Sequence, residues 1–360
     1  MRLRNKRKTV YTFSMLLAVV CVIISFACFI LRVPSITYKN NDIELFAAEL
    51  VLPDSDTLKT SDNSQSPKKI LAKSVKNSNN DDDNNNEVTV DEESDHTGEN
   101  TYKIIESQVG ASGINYENFY VKKAVDYNLE IAKELSLKPD INIVKDNSPR
   151  VLIVHTHTCE SYMDKDQGFF YESFYPRTKD QRKSVVAVGD AIAERIKSSN
   201  IGVIHDTTYH DDPTYNGSYT RAADTIRKNL SENPSMQVVI DIHRDSLGNN
   251  ESGKIKPTFR VNGRKAAQIM VISGCDLNGE LGFPDWEYNL RLALRIQKEA
   301  ENMYPGMTRP MYFGEVKYNM NITHGSVLIE VGTDVNTLDE AIYSGSLLGD
   351  VLSKVLSDLT

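Results

Sequence analysis

Three clusters of polar residues carry the chemistry this chain could perform. The first closes the run Val151-Leu152-Ile153-Val154-His155-Thr156-His157-Thr158-Cys159-Glu160. The second is Asp241-Ile242-His243-Arg244-Asp245, and the third is Glu330, set between Ile329 and Val331. Two imidazoles and a carboxylate with an open fourth position make a hydrolytic zinc set. Mixed nitrogen and oxygen ligation suits zinc better than magnesium or calcium. His155, His157, Glu160, His243, Asp245 and Glu330 are therefore the candidate site. Cys159 beside His157 offers a thiol mechanism as the competing chemistry, but no electropositive helix start accompanies it. The sequence holds neither a glycine-rich phosphate loop nor a serine in a nucleophile elbow. A buried carboxylate at 330 is costly and has its pKa raised, which suits a proton carrier near neutral pH. Its alternative reading is a strand-end residue facing water.

Each cluster ends an apolar run, and those runs must position it. Residues 151–154, 237–242 and 326–331 read as strands buried on both faces. Polar groups at their C-terminal ends collect at one sheet edge, where open α/β folds bind ligands. Helices are expected over 182–198, 219–230, 286–303 and 338–356, with a short strand at 201–204. Asn262-Gly263 between two β-prone runs predicts a hairpin. The expected fold is α/β, a three-layer sandwich around a mainly parallel sheet. An aromatic loop at 161–180 is either a lip over the site or a packed surface loop.

The remaining chain divides by composition. Residues 1–8 hold Arg2, Arg4, Lys6, Arg7 and Lys8, and 9–31 follow without a charge. Such a run is long enough to cross a hydrocarbon core of ~30 Å as a helix. The basic flank places the N-terminus in the cytoplasm and the rest outside, as a single-pass membrane protein; a cleaved signal peptide is the competing reading. Residues 32–100 read as a disordered extracytoplasmic tether rich in Asp, Asn and Ser. Residues 101–147 read as a helical lead-in on the domain edge, and 148–360 as the catalytic domain. The net charge of -9 argues against nucleic acid as a partner.

Val-His-Thr-His-Thr-Cys-Glu-Ser-Tyr, the 241–246 run Asp-Ile-His-Arg-Asp-Ser and the 326–333 run Ser-Val-Leu-Ile-Glu-Val-Gly-Thr resemble the stage II sporulation protein P family. That family looks like a divergent branch of the type 3 zinc-dependent N-acetylmuramoyl-L-alanine amidases. The resemblance spans roughly residues 148–360. It implies His157 and His243 as zinc ligands and Glu330 as the catalytic base, with Asn336 following in its motif. The family's glutamate ligand would fall near 180–182, where only Asp180 stands. Glu160 is the better candidate by chemistry and proximity, while Glu172 and Asp180 stay open. The resemblance further implies cleavage of the amide between N-acetylmuramic acid and L-alanine during engulfment, with cross-link endopeptidase activity also associated with the family. Its implied partners are peptidoglycan, the membrane and sporulation proteins D and M. His155 or Arg244 would stabilise the oxyanion, and Asp241 and Asp245 would support the ligands or hold the leaving amine. A wall-binding scaffold with little catalysis is the competing function. His205 and His210 are expected to be solvated and His96 inert in the tether, while His324, six residues before Glu330, lies at the surface or within reach of the site.

Overall fold

The structure, a computed structural model, describes residues 96–360. The basic flank, the apolar run at 9–31 and the tether as far as residue 95 lie outside the described residues. The chain order is β1 (Thr101–Ser107), β2 (Ile114–Tyr116), β3 (Phe119–Lys123), α1 (Ile131–Ser136), β4 (Pro149–Val154), β5 (Phe169–Tyr171) and α2 (Val185–Ser198). It continues with β6 (Gly202–His205), α3 (Ser218–Glu232), β7 (Val238–Asp245), β8 (Gly248–Asn249), β9 (Gly253–Val261), β10 (Arg264–Ala267) and β11 (Ile269–Gly274). The last elements are α4 (Trp286–Met303), β12 (Met311–Gly314), β13 (Gly325–Thr333) and α5 (Leu338–Ser357). Among the described residues no helix is long and apolar enough to cross a membrane.

Period-two burial explains the layers. In β4, Val151 and Ile153 join the core beneath α2, α4 and α5. Leu152 and Val154 face the other way and pack with Ile226 and Met236 beside α3. A strand buried on both faces needs apolar residues at every position, and Val151 to Val154 supply them. The helix starts are equally local. The Ser184 hydroxyl accepts from Val186 N at 3.2 Å to begin α2, and Thr337 with Glu340 forms a capping box on α5.

Both sheets are mixed, and the expected mainly parallel sheet is corrected accordingly. The eight-stranded sheet runs β2-β3-β12-β11-β13-β7-β4-β6, with β2/β3 and β11/β13 antiparallel. The smaller sheet runs β10-β9-β1-β5, with β8 on β9, and is parallel only at β1/β9. The reversal comes from the hairpin: Asn262 and Gly263 turn the chain at φ 51° and 79°. β10 pairs with β9, and the chain then crosses into the large sheet as β11, entering beside β13 in the opposite sense.

The lead-in at 101–147 is also corrected: its regular structure is mostly strand. β1 lies between β9 and β5, and β3 extends the large sheet beside β12. Phe119 and Val121 alternate into the core with period two, while a turn at Glu117 (φ 49°) breaks the apparent helical spacing. Only Ile131–Ser136 is helical there.

α2 and α5 approach closely because α5 presents a glycine. A Cβ at Gly349 would lie 2.6 Å from Arg195 Cβ and 2.9 Å from the Ile192 carbonyl. Gly349→Ala should therefore destabilise the fold by about 1–3 kcal/mol, outweighing the ~1 kcal/mol that alanine gains in helix propensity. Denaturant unfolding checks this; a variant more stable than wild type would mean the two helices can move apart.

Candidate active site

Cross-strand register builds the floor of the site. Leu328 pairs with Asp241 and Glu330 with His243, while Met270 pairs with Glu330 across the other edge of β13. Residues paired across a sheet share a face. His243, Glu330 and Met270 thus form one row, on the side where α3 covers only the β4 end. The uncovered part is a pocket of about 350 Å³ lined by His157, Glu160, Arg177, Tyr215, Tyr219, His243, Arg244, Asp245, Ser246, Met270, Ile272, Tyr318, Leu328 and Glu330.

His155 and His157 are two apart, and on a strand they would face the same way. The strand ends at Val154, however, and a turn carries the chain through 156–159. His157 turns into the pocket, while His155 stays under α2 on the opposite face. His155 Nδ1 donates to the Ile242 carbonyl at 3.0 Å, and its Nε2 shares a hydrogen bond with His205 Nε2 at 2.8 Å. Burial, then His205, lowers the His155 pKa to about 3. Gly189 of α2 makes room for the pair, since a Cβ there would lie 2.5 Å from His205 Nε2. His155 therefore does not reach the pocket, and its expected oxyanion role is corrected. It ties β4 to β7 beside His243.

Of the three carboxylates left open, Glu160 alone lines the pocket. Its Oε2 accepts from Arg244 N at 3.1 Å and lies 3.7 Å from His243 Nδ1. Glu172 is exposed and bonded to Asn100 and Tyr102. Asp180 caps a 3₁₀ turn and pairs with Arg182. Arg244 lines the pocket but commits Nε to Ser161 O and Nη2 to Pro176 O. Asp245 also lines it and receives Arg309 Nη1 at 2.8 Å.

Electrostatics centre on Asp241 and His243. Asp241 Oδ1 lies 3.0 Å from His243 Nε2, off the direction a hydrogen bond requires. The same carboxylate takes Thr156 N and Oγ1 at 2.9 and 2.6 Å. Burial raises the Asp241 pKa, but His243 and Thr156 outweigh it and bring it to about 2. Burial opposes charge on His243, yet Asp241, then Glu160 and Glu330, raise its pKa to about 10. Burial, then His243, holds His157 well below the usual histidine range. Burial, reinforced by Asp245, lifts Glu330 to about 8.

Three buried polar atoms of the pocket residues lack hydrogen-bond partners: His157 Nδ1, His243 Nε2 (which keeps only the charge of Asp241) and Glu330 Oε2. The Tyr215 hydroxyl holds His157 Nε2 at 3.0 Å and its ring stacks on the imidazole at 4.4 Å, so Nδ1 stays open. The donor set fits zinc. Bonds of ~2.0–2.1 Å in a tetrahedral shell put neighbouring donors about 3.4 Å apart, close to the Glu160–His243 spacing. Asp241 behind His243 is the usual carboxylate partner of a ligating imidazole. As the side chains stand, no group of three or more His, Cys, Asp or Glu among the described residues is gathered tightly enough to hold a metal ion.

Other expectations change on contact with the fold. His210 is buried and His205 half-buried against His155, so neither is solvated; His210 bonds the His155 carbonyl and Thr225 Oγ1 at 2.8 and 2.9 Å. His96 stacks on Tyr171 at 3.8 Å. His324 is partly exposed, 2.8 Å from Asp140. In the aromatic loop, Tyr162 and Phe170 are buried and Tyr175 is exposed. Cys159 is buried and its thiol is pushed up to about 12 by burial and Asp211, which works against a nucleophilic role. Tyr215, Tyr219, Tyr318, Arg177 and Arg309 escaped sequence reasoning because they sit outside the three strand-end motifs.

The fold is a mixed α/β domain in which His157, Glu160, His243 and Glu330 line one pocket at a sheet edge. The model of the Stage II sporulation protein P (SpoIIP) family matches residues 35–353, and the chain belongs to that family. It is similar to "Stage II sporulation protein P" of Bacillus subtilis (strain 168), 26% identical over 219 residues covering 58% of this chain and 51% of that protein. The chain thus spans about half the length of the curated relative it matches. Among solved structures, it is similar to the CwlD amidase from Clostridioides difficile in complex with the GerS lipoprotein, at 16% identity and TM-score 0.34, covering 58% of this chain and 99% of that one. N-acetylmuramoyl-L-alanine amidase AmiC2 of Nostoc punctiforme is 11% identical, with TM-score 0.33 and coverage of 59% and 97%. These likenesses are too slight to carry function.

His155→Ala should lower stability by about 2–4 kcal/mol, because it opens a cavity and leaves the Ile242 carbonyl unsatisfied. Zinc stoichiometry, measured on the folded fraction, should be unchanged. Lost zinc binding at unaltered stability would instead place His155 among the ligands.

Proposed function

We propose that the chain is a membrane-anchored peptidoglycan hydrolase of sporulation, a zinc-dependent N-acetylmuramoyl-L-alanine amidase. The observation that carries this reading is the convergence of His157, Glu160, His243 and Glu330 on one pocket, with His157 Nδ1 and Glu330 Oε2 buried and unpartnered. A wall-binding scaffold has no need of an unpartnered carboxylate oxygen opposite two imidazoles.

His157, Glu160 and His243 would hold the metal. Bound zinc supplies a water of lowered pKa and polarises a carbonyl oxygen. Asp241 orients the His243 ring, and the Arg244 backbone N–H fixes the Glu160 carboxylate. Glu330 takes the proton from the attacking water and returns it to the departing amine nitrogen. The scissile amide joins the lactyl group of N-acetylmuramic acid to L-alanine; cross-link cleavage by the same pocket is a second activity to be assayed. The uncharged run at 9–31 behind a basic N-terminus supports a single-pass topology with the catalytic domain outside the cytoplasm. Membership of the SpoIIP family supports action at the sporulation septum, with sporulation proteins D and M as partners.

Purified full-length chain should release stem peptides from peptidoglycan, detected by mass spectrometry. Chelation should abolish release and zinc should restore it. Glu330→Gln should reduce turnover by about 10²–10⁴-fold, the usual worth of a general acid–base. Cleaved cross-links under the same controls would add the endopeptidase activity. A zinc-loaded chain that binds the wall and releases nothing would favour the scaffold.

A further inference from the structure

The turn between β12 and β13 holds an unusual backbone. Tyr318 and Asn319 are consecutive residues at positive φ, 41° and 59°. For an aromatic residue this conformation is strained, and it persists only where the surroundings over-determine it. Here they do. Asn319 Nδ2 donates to Tyr219 O at 2.8 Å, Lys317 Nζ to Leu281 O at 2.9 Å, and Met320 N to Lys317 O at 2.7 Å.

The conformation brings the Tyr318 ring into the pocket wall, stacked on Tyr219 at 5.3 Å and 26°. Its hydroxyl feels the charge of Glu330 and forms no hydrogen bond among the described residues, yet it is not sealed from the pocket. Burial keeps the phenol protonated, with a pKa near 12, and hence a donor. The two donors that the sequence pointed to are committed elsewhere: His155 lies on the far face, and Arg244 Nε and Nη2 hold two backbone carbonyls.

We propose that Tyr318 is a catalytic residue whose hydroxyl donates a hydrogen bond to the substrate's amide oxygen as that oxygen gains charge. The inference rests on the amidase reading. The water oxygen adds to the carbonyl carbon and its proton passes to Glu330. The carbonyl oxygen becomes anionic and accepts from the Tyr318 O–H, which keeps its proton. Collapse of the intermediate breaks the C–N bond, and Glu330 hands its proton to the leaving amine. A carboxylic acid and an amine result, and the acid's proton then passes to the amine to leave a carboxylate and an ammonium. Preorganised donors of this kind act most strongly on the transition state.

Tyr318→Phe keeps the ring and its stacking and removes only the hydroxyl. With full-length, zinc-loaded chain and a soluble N-acetylmuramoyl-L-alanyl peptide, kcat should fall about 10²–10³-fold with KM nearly unchanged. Zinc stoichiometry and the thermal midpoint should match wild type. A variant as active as an active wild type overturns the proposal and spares the amidase reading. A loss confined to KM, or one that follows a fall in zinc content or midpoint, overturns it too, because the role is then binding or structural. A wild-type chain that fails to cleave the amide overturns the reading, and this inference falls with it.

Discussion

The pairing of Asp241 with His243 on a buried strand is the interaction on which the rest of the site depends. β7 lies between β13 and β4, and alternate residues face the helical core. The other face receives Asp241 and His243. Placing two such groups there is costly unless each is satisfied, and breaking such a pair costs ~3–5 kcal/mol. Thr156 supplies two hydrogen bonds to Asp241, so the turn after β4 is fixed to the charge pair at its first step. The same turn carries His157 and Glu160.

That turn is held from several sides at once. His210 bonds the His155 carbonyl, Thr158 Oγ1 reaches both His155 O and Thr208 O, and the Cys159 amide donates to Asp211. Asp211 also pairs with Arg177, whose guanidinium lies over the Tyr215 ring at 5.2 Å. Tyr215 in turn stacks on His157. The chain from Asp241 to Tyr215 is one network, and such networks lock side chains into a single geometry when every member is satisfied. The exceptions, His157 Nδ1, His243 Nε2 and Glu330 Oε2, all belong to residues of the pocket, where an unpartnered group has a ligand to meet.

The second sheet serves the site from behind. Lys254 pairs with Asp334, and Lys256 reaches Glu340 at 2.9 Å and Asp166 at 2.5 Å. Asn336 bonds Thr333 N and donates to Glu340, closing the turn between β13 and α5. Asn336 thus fixes where β13 ends and where Glu330 sits along it, which gives a physical role to a residue first singled out by motif.

The sequence alone determined the strands and helices around the site, because a strand buried on both faces and a helix with one apolar stripe leave distinct periodicities. Strands 151–154, 237–242 and 326–331 and helices 182–198 and 286–303 were legible for that reason. So was the hairpin, since Asn-Gly adopts the turn at little cost. Tertiary structure decided what periodicity does not encode. The lead-in became strands because partners at β9 and β12 were available to pair with it. The sheets became mixed because the hairpin reversed the chain before β11. His155 and His157 parted because the strand ended at Val154, just before them, where the i, i+2 rule stops applying. Tyr215, Tyr219 and Tyr318 reached the pocket from loops whose paths are set by long-range hydrogen bonds. Local propensity is written in neighbouring residues, whereas the direction of a side chain beyond the end of a strand is fixed by contacts far away in sequence.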